Sequence, residues 1–160
     1  MTFEKLLEIA DDENVSVKQD KIPHLNGLYI NNEIILSDDL VTQAEKKVVL
    51  AEELGHHFCN YGNIIDQNDI RNRKEEYRGK KWAYKKLVTF EKIVEAFEIG
   101  ITCRYCLAEY LGVTEKFLAN AVEFYHNKYG IYKEYNDYLI CFEPLGVIER
   151  SNYATYRKAR

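Results

Sequence analysis

The sequence predicts an α+β fold, with a small antiparallel sheet packed on a predominantly helical body. Three observations lead there. Short apolar runs with turn chemistry lie before residue 37 and once near residue 140. The long stretches between them repeat apolar residues at helical intervals. The 160 residues are 46% hydrophobic and 30% charged, a balance suited to a globular domain with a real core.

Each element follows from local chemistry. Residues 2–10 read as a short amphipathic helix with Phe3, Leu6, Leu7 and Ile9 apolar. Residues 15–17 suggest a short strand, and Asn26-Gly27 a turn. Leu28-Tyr29-Ile30 and Glu33-Ile34-Ile35-Leu36 follow as two strands. Asn31-Asn32 between them suits a two-residue hairpin, because Asn tolerates positive φ. Ser37-Asp38-Asp39 ends the second strand. A helix then covers about 42–59, with Thr42 three residues before Glu45 in capping-box spacing. Ala44, Val48, Ala51, Gly55 and Phe58 make its core stripe. Glu45, Val49, Glu52, Glu53 and His56 lie on a different side, and Tyr61-Gly62-Asn63 stops it.

A second helix covers about 68–90 and carries Glu76, Gly79, Ala83 and Leu87 along one stripe. Residues 91–100, 103–111 and 114–129 read as three more helices, the last two separated by Gly112-Val113. Residues 138–142 form a strand ended at Pro144, and the tail from Glu149 is polar. The chain reads as a single domain, 1–160. About 1–90 holds the sheet and the candidate site helices, and about 91–160 holds a helical part with a terminal strand. The 13 Tyr argue against disorder.

Charge and targeting narrow the function classes. A net charge of −4 offers no electrostatic basis for binding nucleic acid. Arg71-Asn72-Arg73-Lys74, interleaved with Glu75 and Glu76, reads as a solvated helix face. Residues 106–121 resemble a helix-turn-helix. Its second helix offers chiefly Glu115, Lys116, Asn120 and Glu123, so packing is favoured over DNA contact. Neither a signal-peptide core nor a membrane-spanning run is present, which predicts a cytoplasmic protein with reduced cysteines. Cys103-Arg104-Tyr105-Cys106 is a lone CxxC and reads as buried and inert. The tyrosines from Tyr125 to Tyr138 read chiefly as packing, and His24 and His126 are given no role.

The chemistry concentrates at Glu52-Glu53-Leu54-Gly55-His56-His57. Helical residues i and i+4 share a face, so Glu52 pairs with His56 and Glu53 with His57. A zincin places two metal ligands at that spacing, with a Glu beside the first to activate water. The usual string is HExxH; here Glu52 stands at the first ligand position, and carboxylate oxygen binds zinc at nearly the distance of imidazole nitrogen. Glu76 is the candidate third ligand. It shares a stripe with Gly79 and Ala83, small residues that let two helices approach, and a carboxylate there needs a partner. Glu75 points roughly 100° away. A rotated helix would instead use Glu53 and His57 as ligands and lose Glu53 as base.

The stretch from Val49 to Phe58 resembles the signature helix of the ImmA/IrrE metallopeptidases, in particular the phage- and mobile-element-borne branch of Gram-positive bacteria. Gly27-Leu28-Tyr29-Ile30 with Glu33-Ile34-Ile35-Leu36 resembles the hairpin before that helix. Glu76-Tyr77-Arg78-Gly79-Lys80-Lys81-Trp82-Ala83 resembles the ExxAxxFA segment, with Gly79 for Ala and Trp82 for Phe. The resemblance covers roughly residues 25–129. It implies a zincin-like fold, Glu53 as general base, and His56 and Glu76 as metal ligands with Glu52 at the first-ligand position. Zinc is the implied metal, and this donor set also admits manganese or iron. The implied substrate is a helix-turn-helix repressor of a prophage or integrative element. Two alternatives stay open: a catalytically silent module that antagonises a repressor by contact, and a DNA-binding regulator.

Overall fold

A computed structural model describes residues 1–59 and 70–150, with side chains in the second stretch described from Glu76. The helix stop at Tyr61-Gly62-Asn63, the helix start at residue 68 and the solvated face from Arg71 to Glu75 lie outside the described residues or side chains. The chain divides into two compact units. One comprises Met1–Leu87 with Gly112–Thr114; the other comprises Val88–Leu111 and the residues from Glu115 on. Both mix helix and sheet, so the fold class is α+β.

In the first unit, α1 (Phe3–Asp12) is capped by Thr2, whose side chain accepts from the Lys5 N–H. Strands β1 (Ser16–Asp20), β2 (Gly27–Ile30) and β3 (Glu33–Ser37) form a sheet in the order β1-β3-β2. The β2–β3 pair is the antiparallel hairpin the sequence suggests, and Asn31 and Asn32 sit at φ 50° and 58° in its turn. The connection after β1 carries the chain to the far side of β3, so β1 pairs with β3 in parallel. The sheet is therefore mixed rather than wholly antiparallel.

Helix α2 (Gln43–Phe58) opens with the full capping box: Thr42 Oγ1 accepts from the Glu45 N–H at 3.1 Å, and Glu45 accepts from the Thr42 N–H at 2.8 Å. It contacts β2 and β3 and also α3 (Ile70–Leu87). Burial on both sides explains why its buried set runs almost around the helix: Lys47, Val48, Val49, Leu50, Ala51, Leu54, Gly55 and His56. Leu50 and Leu54 are fully buried, each contributing roughly 1.5–3 kcal/mol. Phe58 departs from the expected core stripe. It is 37% exposed and stacks on Trp82 at 5.0 Å between ring centres.

The helix expected to reach residue 90 stops at Leu87. Thr89 takes an extended conformation, and its side chain accepts from the Lys92 N–H to start a new helix, α4 (Phe90–Glu98). The second unit holds α4, α5 (Arg104–Leu111) and α6 (Glu115–Tyr129), and an antiparallel sheet β4 (Tyr132–Tyr135), β5 (Tyr138–Phe142) and β6 (Leu145–Glu149). The sequence marks only the central strand of this sheet. Phe90, Tyr125 and Phe142 cluster in its core, and the Tyr125 hydroxyl donates to the Val88 carbonyl at 2.8 Å. The CxxC also departs from expectation. The buried face of α5 is Leu107, Ala108 and Leu111, so Cys103 and Cys106 are exposed, and they form a disulfide. Cys59 and Cys141 are free thiols. No described helix is long and apolar enough to cross a membrane.

Candidate active site

Three glycines set the distances around α2. A Cβ on Gly55 would stand 2.3 Å from the Gly79 carbonyl oxygen, so the backbones of α2 and α3 touch there. A Cβ on Gly79 would stand 2.9 Å from the His56 Cε1 and Nδ1, so the imidazole lies against the bare α3 backbone. On the other side of α2, a Cβ on Gly27 would meet Val49 Cγ1 at 2.5 Å and Glu53 Oε1 at 2.7 Å. Strand β2 thus closes over the Glu53 carboxylate.

This packing sends the two adjacent histidines to opposite neighbourhoods. His56 is buried, and its Nε2 faces Glu76 Oε2 at 3.1 Å; Glu76 Oε1 takes the Lys80 ammonium at 2.9 Å. The Nδ1 of His56 is buried with no hydrogen-bond partner among the described residues. His57 instead meets the Tyr29 hydroxyl through Nδ1 at 2.8 Å and Glu13 through Nε2 at 3.5 Å. The Tyr29 hydroxyl donates to Asn32 Oδ1 at 2.9 Å, which leaves Nδ1–H of His57 as donor to the phenolic oxygen. The tyrosine and Glu13 contacts carried no signal in the sequence, because they join residues 28 or more positions apart.

The electrostatics separate the carboxylates. Desolvation pushes Glu53 up to about 7. Glu76 and Glu52 push the same way, while His56 and a hydrogen bond from the Tyr29 N–H pull back. The hydrogen bond from His56 holds Glu76 down at about 2, aided by Lys80 and opposed by burial. Burial alone would lower the His56 imidazole. Its bond to Glu76 and the charges of Glu53, Glu76 and Glu52 outweigh that and keep it raised. The set therefore contains a carboxyl poised near neutrality beside a carboxylate that stays ionised, which is the separation acid–base chemistry requires.

The described residues contain no ready group of three His, Cys, Asp or Glu side chains in metal-holding geometry. The His56–Glu76 pair nonetheless fits a divalent cation. Tetrahedral zinc with bonds of about 2.0–2.1 Å places adjacent donors roughly 3.3 Å apart, near the 3.1 Å observed. Glu52 and Glu53 act electrostatically on the same imidazole, so three carboxylates share its neighbourhood. Negative charge concentrated around the imidazole suits a cation, which His56 Nε2 and Glu76 Oε2 would hold in place of their mutual contact.

The profile of Peptidase_M78, the IrrE N-terminal-like domain, matches residues 8–123. The chain belongs to this family. No curated protein matches the sequence closely enough to add a relative. The matched span contains α2 and the part of α3 that carries Glu76, and membership supports a metallopeptidase-type function that uses a metal and acts on protein.

Proposed function

We propose that this member of the Peptidase_M78 family is a zinc-dependent endopeptidase with a zincin-like site, in which His56, Glu76 and Glu52 hold the metal and Glu53 is the general base. The observation that carries this reading is the His56–Glu76 contact at 3.1 Å beside a Glu53 carboxyl raised to about 7. Zinc bound there would supply a Lewis acid that acidifies water and polarises the scissile carbonyl. Glu53, held by the Tyr29 N–H under β2, takes a proton from the attacking water and returns it to the leaving amine. Lys80 holds Glu76 on the side away from His56 and fixes its carboxylate. With its ring nitrogens directed to Tyr29 and Glu13, His57 is the second choice as ligand. The substrate we infer is a cytoplasmic helix-turn-helix repressor of a prophage or integrative element, cut to release transcription.

A second reading rests on one observation. His56 and Glu76 compensate each other directly, and Lys80 occupies the remaining Glu76 oxygen. The same fold could serve as a catalytically silent module that binds a repressor. Glu53→Gln decides between them. The substitution keeps the hydrogen-bond acceptor for the Tyr29 N–H and removes the base. Protein purified without chelator should carry stoichiometric zinc in wild type and variant, and only the wild type should cut a repressor. Equal cleavage by the variant would remove Glu53 as base. Metal-free protein that inactivates the repressor without cutting it would establish the binding module.

A further inference from the structure

The second unit carries reactive sulfur outside the candidate active site. Cys103 and Cys106 are joined by a disulfide, and both residues are exposed. The bond closes a loop across one turn of chain at the start of α5. Constraint on the unfolded chain grows with loop length, so so short a loop restrains little. Exposed disulfides of this kind tend to be labile. The two sulfurs are not equivalent. Cys103 lies just before α5: its carbonyl accepts from the Leu107 N–H at 2.9 Å, and its Sγ accepts from the Cys106 N–H at 3.0 Å. Negative charge developing on that sulfur would be held by a helix N-terminus. Cys103 also lines a cavity of about 320 Å³ and Cys106 does not. Ile93, Phe97 and Leu107 give the cavity an apolar wall, and Thr102 and Arg104, the chain neighbours of Cys103, line it as well. Its volume lies at the small end of the range for small-molecule sites, roughly 300–1,000 Å³.

We propose that Cys103 and Cys106 form a thiol–disulfide exchange site whose partner is a small carboxylate-bearing thiol seated in this cavity against Cys103 and Arg104. A thiolate of the partner attacks Cys103 Sγ. The Cys103–Cys106 bond breaks and Cys106 leaves as thiolate, giving a mixed disulfide between partner and Cys103. A second partner thiolate attacks the partner's sulfur in that bond and expels Cys103 as thiolate, where the Cys106 N–H receives it. Two electrons pass from two thiols to the protein. The products are one partner disulfide and two protein thiols, and the reverse sequence oxidises the pair.

The test equilibrates the full chain in buffers of reduced and oxidised glutathione, traps it by alkylation and maps each cysteine by mass. Cys103 and Cys106 should change together in one two-electron step, separately from Cys59 and Cys141. In Cys106→Ser, glutathione should accumulate on Cys103 about 10-fold faster than it does on Cys106 in Cys103→Ser. A parallel arm with a protein dithiol in place of glutathione identifies the source of the thiol. Reduction by glutathione at a rate at least equal to the protein dithiol's supports the small-thiol site, and reduction by the protein dithiol alone overturns it. Independent titration of the two cysteines, or reduction only after unfolding, also overturns it. The wild-type titration needs no variant, so a misfolded substitution leaves the proposal falsifiable.

Discussion

The two sides of α2 solve the same problem differently. Toward α3, Gly79 lets the His56 ring lie on backbone, and the imidazole meets a Glu76 carboxylate that is itself paired with the Lys80 ammonium. Toward β2, Gly27 admits the Glu53 carboxylate under a strand, and His57 is engaged by a neutral phenol and a distant carboxylate. One side holds charge in place by ion pairing. The other raises a carboxyl toward neutrality by withdrawing it from water. A hydrolase that must bind a cation and move a proton needs both environments next to each other. The single turn from Glu53 to His57 spans them.

The largest expected effect separates the histidines. His56→Ala should weaken zinc binding by well over about 100-fold, and His57→Ala by no more than about 10-fold, the lower range for a residue acting behind the ligands. Competition with a chromogenic chelator measures both. A reversed order would move the metal to Glu53 and His57, and Glu53 would then lose its role as base.

The next effect concerns the β2 side alone. Glu53 is raised to about 7 from an ordinary 4.5, so the folded protein holds this proton more tightly than the unfolded chain does. That stabilisation is complete below about 4.5 and is lost as pH rises through about 7. The shift corresponds to on the order of 3 kcal/mol at most. Metal-free Glu53→Gln should therefore match wild type near pH 4.5 and exceed it in stability above pH 7. Guanidinium unfolding at the two pH values provides the measurement. A constant difference between them would mean that Glu53 is not withdrawn from water. Glu76 works in the opposite sense. Held at about 2, it contributes above its ordinary range and loses that contribution as pH falls.

What the sequence disclosed follows from how local each cause is. The Thr42–Glu45 capping box and the Asn31-Asn32 turn act within four residues, and both form as read. Asn136, at φ 51°, turns β4 into β5 with the same chemistry. That hairpin is not legible in the sequence because Tyr132-Lys133-Glu134-Tyr135 is an edge strand with charged residues, defined by its pairing with β5 rather than by its own periodicity. Thr89 does not stand out as a helix start because Lys92 occupies the position where a capping box would place Glu. The spacing of Glu52, Glu53 and His56 was legible. The neighbourhood each histidine occupies was not, because it depends on Gly55 meeting Gly79 and Gly27 meeting Glu53 across long stretches of chain.

The smallest effect tests the neutral half of the comparison. Tyr29→Phe removes the hydroxyl that links His57 Nδ1 to Asn32 Oδ1 and leaves the ring in place. The Tyr29 N–H to Glu53 is a backbone group and survives the change. Asn32 is exposed and can turn to water, so the loss should be about 1 kcal/mol in urea unfolding. Zinc affinity should stay within about threefold of wild type, because the His56–Glu76 pair has no contact with the hydroxyl. Loss of zinc on removal of this one oxygen would show that His57 belongs to the metal site, and the two sides of α2 would have to be treated as one.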